Sequence, residues 1–378
     1  WVTPAFDSKN GLVIFGTGNA APDLDGTNRE GANLFSASIV AVDVATGERV
    51  WHFQQVHHDL WDYDQGSAPV IFDMEVNGEK KKVVGAAGKT GWYYLFESKT
   101  GKLIHDCPEK SVPTNSLISN SDGLAEKPYP TQPHCVSEAF VPQGGRIVVG
   151  ANRTVSVSPI FTPPGPPTSN TEPITAPLTG IDVPVADVFV EPGVFGGSDH
   201  MPLSHNPKLG LSFIPVNIGF SNFTSFPETV LHDPANGLGA GGWWSYGPTL
   251  EDMLSESSGA LVAYDPKQGK VKWTHNVDTF NMSGTCTTAA GLVFMPEVDE
   301  KDYAGTIETF FSAFNASTGE RLFRWPIPDN IAASSGCISY EISGKQYIAI
   351  AVGGAATNEW GVMITNHGDD VYVLGLPD

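Results

Sequence analysis

Four segments of this chain repeat one pattern, and few folds accommodate a repeat of that length. They read AVDVATGERVW (41–51), LFESKTGKLIH (95–105), AYDPKQGKVKW (263–273) and AFNASTGERLF (313–323). Each carries an acidic residue or Asn, two variable residues, Thr or Gln, a glycine, and a closing aromatic or apolar position. The Asp-x-x-Thr-Gly core is turn chemistry: the Asp side chain caps the turn and glycine supplies a positive φ. The first two copies begin 54 residues apart and the last two 50 apart, which suits one four-stranded propeller blade per period. The ring that closes a copy, Trp51 or Trp273, can wedge between neighbouring blades.

The intervening sequence agrees. Short β-rich runs such as GLVIFG (11–16), SIVAVD (38–43), GWYYLFE (91–97), ALVAYD (260–265) and QYIAIAV (346–352) are separated by turn residues, and long amphipathic helical patterns are missing. The 41 glycines and 29 prolines fit an all-β fold of many strands and tight turns. The expectation is a single all-β domain over 1–378, a β-propeller of four-stranded blades covering about five or six of them. A Pro/Thr-rich stretch at 155–190 is expected to be a surface insertion. Two further irregular stretches, 107–140 and 232–258, are candidate loops over a binding site.

Charge limits the partners. Asp and Glu number 42 against 21 Lys and Arg, giving a formal charge of −21. Nucleic acid and anionic membrane surfaces both require a basic face, so neither is expected. No apolar run approaches the roughly 20 residues of a membrane span. The chain opens in mid-domain with WVTPAFDSKN, which reads as a processed or partial chain. The spacings of Cys107, Cys135, Cys286 and Cys337 fit no zinc pattern. Cys107 and Cys135 bracket a Pro/Ser/Asn-rich loop that a disulfide would close, and Cys286 with Cys337 is the remaining pairing. Sequons at Asn152, Asn222, Asn281 and Asn315 are compatible with export.

The chemistry concentrates in HHDLWDYDQG, residues 57–66. Asp59, Asp62 and Asp64 fall within six positions, interleaved with Trp61 and Tyr63. On extended backbone Asp62 and Asp64 point to one side. Two carboxylates on one face repel unless a cation or proton lies between them. A second segment, FGTGNAAPD (15–23), forms a tight turn that presents Asn19, whose amide oxygen is a good hard-cation ligand.

The repeats, the TGNAAP turn and the HDLWDYD segment together resemble the quinoprotein alcohol dehydrogenases, eight-bladed propellers that hold pyrroloquinoline quinone (PQQ) on a metal ion. The resemblance runs over most of the chain, with the family's N-terminal blades missing. It implies Asn19, Asp62 and Asp64 as metal ligands, with Asp64 at the position associated with lanthanide-using members, so a lanthanide is preferred over Ca²⁺. It implies Asp62 as the general base that takes the alcohol's hydroxyl proton, and Lys89 as the cation that stabilises negative charge on the quinone oxygen. Trp1 would form the floor under the quinone. Asp199 and His200, in GGSDHMPLSHNP, stand where the family has Asn and Trp; Phe280 replaces an expected Trp; and Trp360 could pack near the quinone. The implied reaction is oxidation of a small alcohol to an aldehyde by hydride transfer to PQQ. The implied setting is periplasmic or secreted. With no Cys-x-x-Cys-His haem motif, electrons would pass to a separate acceptor such as a cytochrome c, and a homodimer is compatible with the resemblance. Two other classes remain open: a non-catalytic scaffold or binding propeller that kept the repeats, and a metal-dependent hydrolase built around His57 and His58.

Overall fold

A computed structural model describes residues 2–24, 26, 29–112, 129–149, 154–165, 174–175, 182–183, 188–225, 242–245, 258–300, 307–353 and 368–375. The chain is all-β, with antiparallel sheets in which strands pair with their neighbours in sequence, except that Leu211–Ile218 pairs with Ser258–Asp265 across two strands that belong to another sheet. The first sheet is Ala5–Asp7, Leu12–Gly16, Ser38–Asp43 and Arg49–Gln54. The second is Val70–Val76, Glu79–Ala87 and Tyr93–Glu97, extended by a bridge from Phe96 to Leu103. A third (Ser204–Asn206, Leu211–Ile218, Ser258–Asp265, Lys270–Val277) and a fourth (Cys286–Thr287, Leu292–Glu300, Ile307–Asn315, Arg321–Pro326) repeat the meander. The fifth has Ile338–Ile342, Lys345–Val352 and Asp370–Gly375. Contacts run from each of these sheets to the next, as in a succession of propeller blades.

The repeat motif explains how consecutive sheets are held. Asp43 Oδ1 accepts from the amides of Ala45 and Thr46 at 2.9 and 3.0 Å, and the Gly47 amide closes the turn onto the Asp43 carbonyl. Asp265 and Asn315 cap their own turns in the same way. Gly47, Gly101, Gly269 and Gly319 all have φ between 66° and 77°, so each turn requires a residue that tolerates the left-handed region. Three of these glycines also form a seat. The Trp51 indole lies so close to Gly101 that a Cβ there would be 2.6 Å from its ring, and Trp51 Nε1 donates to the Ser98 carbonyl at 2.8 Å. Trp273 sits on Gly319 in the same manner, donating to the Ala316 carbonyl. His105 meets Gly269 and bonds the Pro266 carbonyl at 2.7 Å. The residue that closes one copy therefore docks on the turn of the next copy.

Two departures from simple repetition matter for the site. A five-stranded sheet (Arg146–Val149, Thr154–Ser158, Phe189–Val190, Ser221–Ser225, Gly242–Ser245) begins after the second sheet and is interleaved with the third, its last two strands falling between Leu211–Ile218 and Ser258–Asp265, and Thr154–Ser158 pairs in parallel with Phe189–Val190. The described ends of the 155–190 stretch consequently lie inside the molecule rather than on its surface. Ile160, Phe161 and Val188 are buried in the core shared with the first and second sheets, and Val155, Val157 and Phe189 in a separate core with Val148 and Phe220. Cys107 pairs with Cys135 and Cys286 with Cys337. The sequons at Asn222 and Asn281 carry no export signal, since both asparagines are buried among hydrogen-bonded neighbours; Asn152 is outside the described residues. No described helix is long and apolar enough to cross a membrane.

Gly101→Ala and Gly47→Ala provide a matched test of ring docking. Both introduce a Cβ at positive φ, at a cost of roughly 1–2 kcal/mol, but nothing lies within 4 Å of the Gly47 position. Gly101→Ala should lose about 1–3 kcal/mol more than Gly47→Ala in denaturant unfolding, the usual overpacking penalty. Equal losses would show that the indole seat contributes nothing.

Candidate functional site

The candidate site is built from four loop segments. Residues 16–19 leave the second strand of the first sheet and run beside Gln65: the Gln65 amide donates to the Thr17 carbonyl, and a Cβ on Gly16 would overlap the Gln65 carbonyl at 2.1 Å. This close approach explains the glycine at the start of the turn and brings residue 19 against residue 64. Asn19 N–H donates to Asp64 Oδ1 at 2.6 Å. The Asn19 side chain instead donates through Nδ2 to Asp23 Oδ1 at 2.7 Å, so contact with Asp64 is made by the main chain.

The 57–66 loop is fixed by its aromatic residues. Trp61 and Tyr63 are fully buried, stacked 6.0 Å apart with planes 20° from parallel, and both meet the edge of Phe161. Trp61 Nε1 donates to the Thr162 carbonyl and Tyr63 Oη to the Pro192 carbonyl. Asp59 is an internal clamp: its two oxygens accept from the amides of Trp61 and Tyr63 at 2.9 and 2.7 Å. With these three residues turned inward, Asp62 and Asp64 point into the site. Asp62 has φ 60°, an unfavourable conformation for a non-glycine residue that the surrounding contacts impose.

Lys89 supplies the counter-charge. Its ammonium, almost completely buried, donates to Asp64 Oδ2 at 2.8 Å, to Asp62 Oδ2 at 3.1 Å and to the Asp62 carbonyl at 2.8 Å. Gly196 allows the approach, since a Cβ there would be 2.3 Å from Lys89 Cα. Asp199 is also buried, and its Oδ1 has no hydrogen-bond partner. Beside Gly196 lies a small cavity of about 10 Å³ lined by Gly193, Phe195, Gly219, Phe220, Ser221 and Phe280, with the Phe195 and Phe280 rings edge to face.

Burial dominates the electrostatics. It pushes the Asp62 carboxyl well above the usual carboxylate range, with Lys89 opposing and Asp64 reinforcing the rise. Asp64 is also penalised by burial, but the Lys89 charge and hydrogen bond hold its carboxyl below the ordinary value. Burial raises Asp59 to about 7 and raises Asp199 and Asp23. Lys89 is held well above its ordinary value: burial opposes the charge, and Asp199, Asp62 and Asp64 outweigh burial. Asp23, Asp59, Asp62, Asp64 and Asp199 face two nearby cations, Lys89 and Arg29. Five carboxylates less two cations leaves three negative charges if all ionise, which burial resists unless a further cation or protons enter.

Asn19, Asp62, Asp64, Lys89 and Asp199 therefore come together in one region, while Trp1 and Trp360 are outside the described residues. Among the described residues no three His, Cys, Asp or Glu side chains gather as a ready-made metal cage. Asp62 and Asp64 converge on the Lys89 ammonium. The residues fit a hard cation in donor type and surplus charge, whereas Asn19 would have to turn its amide away from Asp23 to take part. Beside them, the glycine-walled cavity with Phe195 and Phe280 has room for little more than a water molecule. His57 and His58 do not form a water-activating pair. His57 bonds Gln54 and Glu109, and His58 bonds the Gly31 carbonyl. Sequence reasoning missed Asp23, Arg29, Phe195 and Gly196, whose roles arise from contacts between distant loops; only the Phe-Gly-Gly run at 195–197 carried a local signal of close backbone approach.

Comparison with known proteins agrees with this geometry. The family model described as PQQ glucose/ethanol/alcohol dehydrogenase, beta-propeller domain, matches residues 1–233. The quinoprotein alcohol dehydrogenase PedH of Pseudomonas putida is 28% identical over 385 residues, covering 100% of this chain and 54% of that protein. The quinoprotein glucose dehydrogenase of Escherichia coli is 28% identical, covering 100% and 49%. The solved quinohemoprotein alcohol dehydrogenase ADHIIG from Pseudomonas putida superposes with a TM-score of 0.66 at 25% identity, over 94% of this chain and 44% of that one. A europium-containing methanol dehydrogenase shares the fold, with a TM-score of 0.63 at 22% identity and coverage of 94% and 51%. The chain thus spans about half the length of the curated relatives it matches, with its strands in the arrangement of a partial propeller. It belongs to the PQQ-dependent glucose/ethanol/alcohol dehydrogenase family of β-propellers.

Proposed function

We propose that this chain carries the alcohol-oxidising half-site of a quinoprotein dehydrogenase, with Asp62 as general base and a metal ion held by Asp62, Asp64 and Asn19. The observation that carries the reading is the convergence of the Asp62 and Asp64 carboxylates on a single buried positive charge. A scaffold has no use for such an arrangement, which costs desolvation of every group in it. The density of carboxyl groups, with Asp23, Asp59 and Asp199 near Asp62 and Asp64, favours a highly charged cation such as a lanthanide over Ca²⁺.

PQQ, when bound, supplies the electrophile that accepts hydride, and the metal supplies Lewis-acid polarisation. The chain's own residues do the rest. Asp62, raised by burial, is suited to take a hydroxyl proton at Oδ2 and release it later. Lys89 presents its buried ammonium beside the Asp62 and Asp64 carboxylates, where it can stabilise developing negative charge. Periplasmic or secreted placement is supported by two disulfides and by the family, and a cytochrome c is the acceptor class proposed.

A second reading, a binding propeller without turnover, is favoured by one observation: the Lys89 ammonium bridges Asp62 and Asp64 as a structural ion pair would. Two variants decide. Asp62→Asn should reduce PQQ- and alcohol-dependent dye reduction by about a thousandfold or more while leaving the unfolding midpoint within a few degrees, consistent with loss of a general base in a site that also uses metal and cation. Unchanged turnover would remove Asp62 from the base role, and a parent inactive with both La³⁺ and Ca²⁺ would favour the binding propeller. Asp64→Ala should move the metal preference in reconstitution toward Ca²⁺; an identical La³⁺ to Ca²⁺ activity ratio in variant and parent would contradict the lanthanide assignment.

A further inference from the structure

The loop that presents Asp62 and Asp64 has no regular secondary structure, so its backbone groups need partners from outside a strand ladder. Asp59 serves the middle of the loop, through the amides of Trp61 and Tyr63. The entry is served from a distant part of the chain. Gln132 Oε1 accepts the His57 N–H at 2.8 Å, and Gln132 Nε2 donates to the His57 carbonyl at 2.6 Å. One side chain thus pairs with both backbone groups of one residue, as a neighbouring strand would. The side-by-side acceptor and donor of a primary amide suit that geometry.

Gln132 belongs to a hairpin of Glu109–Ser111 and Thr131–Pro133. The first strand is exposed throughout, yet Gln132 is 0% exposed. The Cys107–Cys135 disulfide closes the base of the hairpin, where His134 N–H donates to the Pro108 carbonyl and Val136 N–H to the Asp106 carbonyl. Two further contacts tie the same hairpin to the carboxylate loop. Glu109 Oε1 lies 3.0 Å from His57 Nε2, while His57 Nδ1 meets Gln54 Oε1 at 2.7 Å. The His134 ring stands edge-on to Phe161 with centroids 5.3 Å apart, and Phe161 is the ring against which Trp61 and Tyr63 pack.

We infer that Gln132 is a positioning residue for the carboxylate loop: it fixes the loop entry at His57, and the disulfide-closed hairpin is the buttress from which it acts. This role rests on the functional reading above, in which Asp62 and Asp64 are the working carboxylates. The physical need for an anchor is specific. Asp62 holds a left-handed backbone, a strained state that persists only while its surroundings impose it. Without Gln132, the His57 N–H and carbonyl both lose their partner, and the loop entry is free to shift toward other donors and acceptors. Asp59 shapes the loop from within and Lys89 meets the carboxylates themselves; Gln132 acts on neither carboxylate directly.

Gln132→Met keeps the length and bulk of the side chain and removes both hydrogen bonds. The comparison variant is Asn206→Ala, which removes a buried amide that joins the third and fourth sheets through the Thr288 carbonyl. Two measurements report on the loop without turnover: backbone amide hydrogen exchange across residues 57–66, and equilibrium binding of Tb³⁺ to the chain without PQQ. Gln132→Met should speed loop exchange about tenfold or more, by lowering the cost of local opening. It should weaken Tb³⁺ binding about tenfold, as loss of a group that orients a metal ligand does. Asn206→Ala should leave both within about twofold of the parent, because distant sites act independently. Unchanged loop exchange in Gln132→Met would overturn the inference, and so would unchanged Tb³⁺ binding where the parent binds. Equal changes in Asn206→Ala would also overturn it, by reducing the effect to general stability. Faster exchange in Gln132→Met, with no Tb³⁺ bound by the parent, would uphold the anchored loop and overturn the metal site. Where near-UV circular dichroism shows Gln132→Met unfolded, Gln132→Glu, which keeps the length and the acceptor, is measured under the same criteria. Failure of both to fold would overturn the positioning role, since Gln132 would then hold up the domain rather than aim one loop.

Discussion

The whole assembly depends on a ring pressed against a bare glycine backbone. Trp51 on Gly101, His105 on Gly269 and Trp273 on Gly319 each set the distance and tilt between one repeat and the next, and each adds a hydrogen bond to a turn carbonyl. The two indole contacts admit no Cβ and cannot slide without opening a void or a clash, so the sheets they join are held at a fixed pitch. The candidate site gathers residues from the first sheet, the second sheet, the loop between them and the approach to the third. Its ångström-scale geometry is therefore inherited from these seats.

Within that frame the site is organised by a charge imbalance. Asp59 shows how a buried carboxylate is stabilised locally, by two backbone amides of its own loop. Asp62 and Asp64 have no comparable set of main-chain donors apart from the Asn19 amide, and they rely on Lys89. A loop that spends its amides on one aspartate and leaves the next two to an external cation separates structural from chemical carboxylates within six residues. The left-handed backbone at Asp62 belongs to the same arrangement: it lets the Asp62 carbonyl and carboxylate face one ammonium together.

The sequence displayed the parts of this molecule that repeat or cluster locally. The Asp-x-x-Thr-Gly turns and their closing rings were legible because one short motif fixes both the turn and the docking partner. The carboxylates at 59, 62 and 64 were legible as a group, but their division of labour was not. Asp59 differs from its neighbours only in which amides reach it, a consequence of how Trp61 and Tyr63 turn inward. Asn19 meets Asp64 through its main chain, while a neighbouring acid, Asp23, takes its side-chain amide, a competition that no local pattern signals. The 155–190 stretch reads as a surface excursion by composition. Its Ile160 and Phe161 are core residues because tertiary packing decides the fate of apolar residues flanking a proline-rich segment.

The described ends of that stretch bear on function, since the five-stranded sheet ties the carboxylate loop to the cavity beside Gly196. Arg146 holds Glu191 through two parallel hydrogen bonds at 2.7 and 2.8 Å, and Glu191 precedes the proline whose carbonyl accepts the Tyr63 hydroxyl. One residue further on, Gly193 packs against Ser221 Oγ, where a Cβ would be at 2.6 Å, and the same oxygen accepts the Val194 amide. Gly193 and Ser221 both line the cavity. The cavity wall and the loop that presents Asp62 are thus joined through rigid, hydrogen-bonded contacts only a few residues long. A change in cavity shape reaches the carboxylates through Tyr63, and the parallel strand pairing between Thr154–Ser158 and Phe189–Val190 is what brings Pro192 within reach of that hydroxyl.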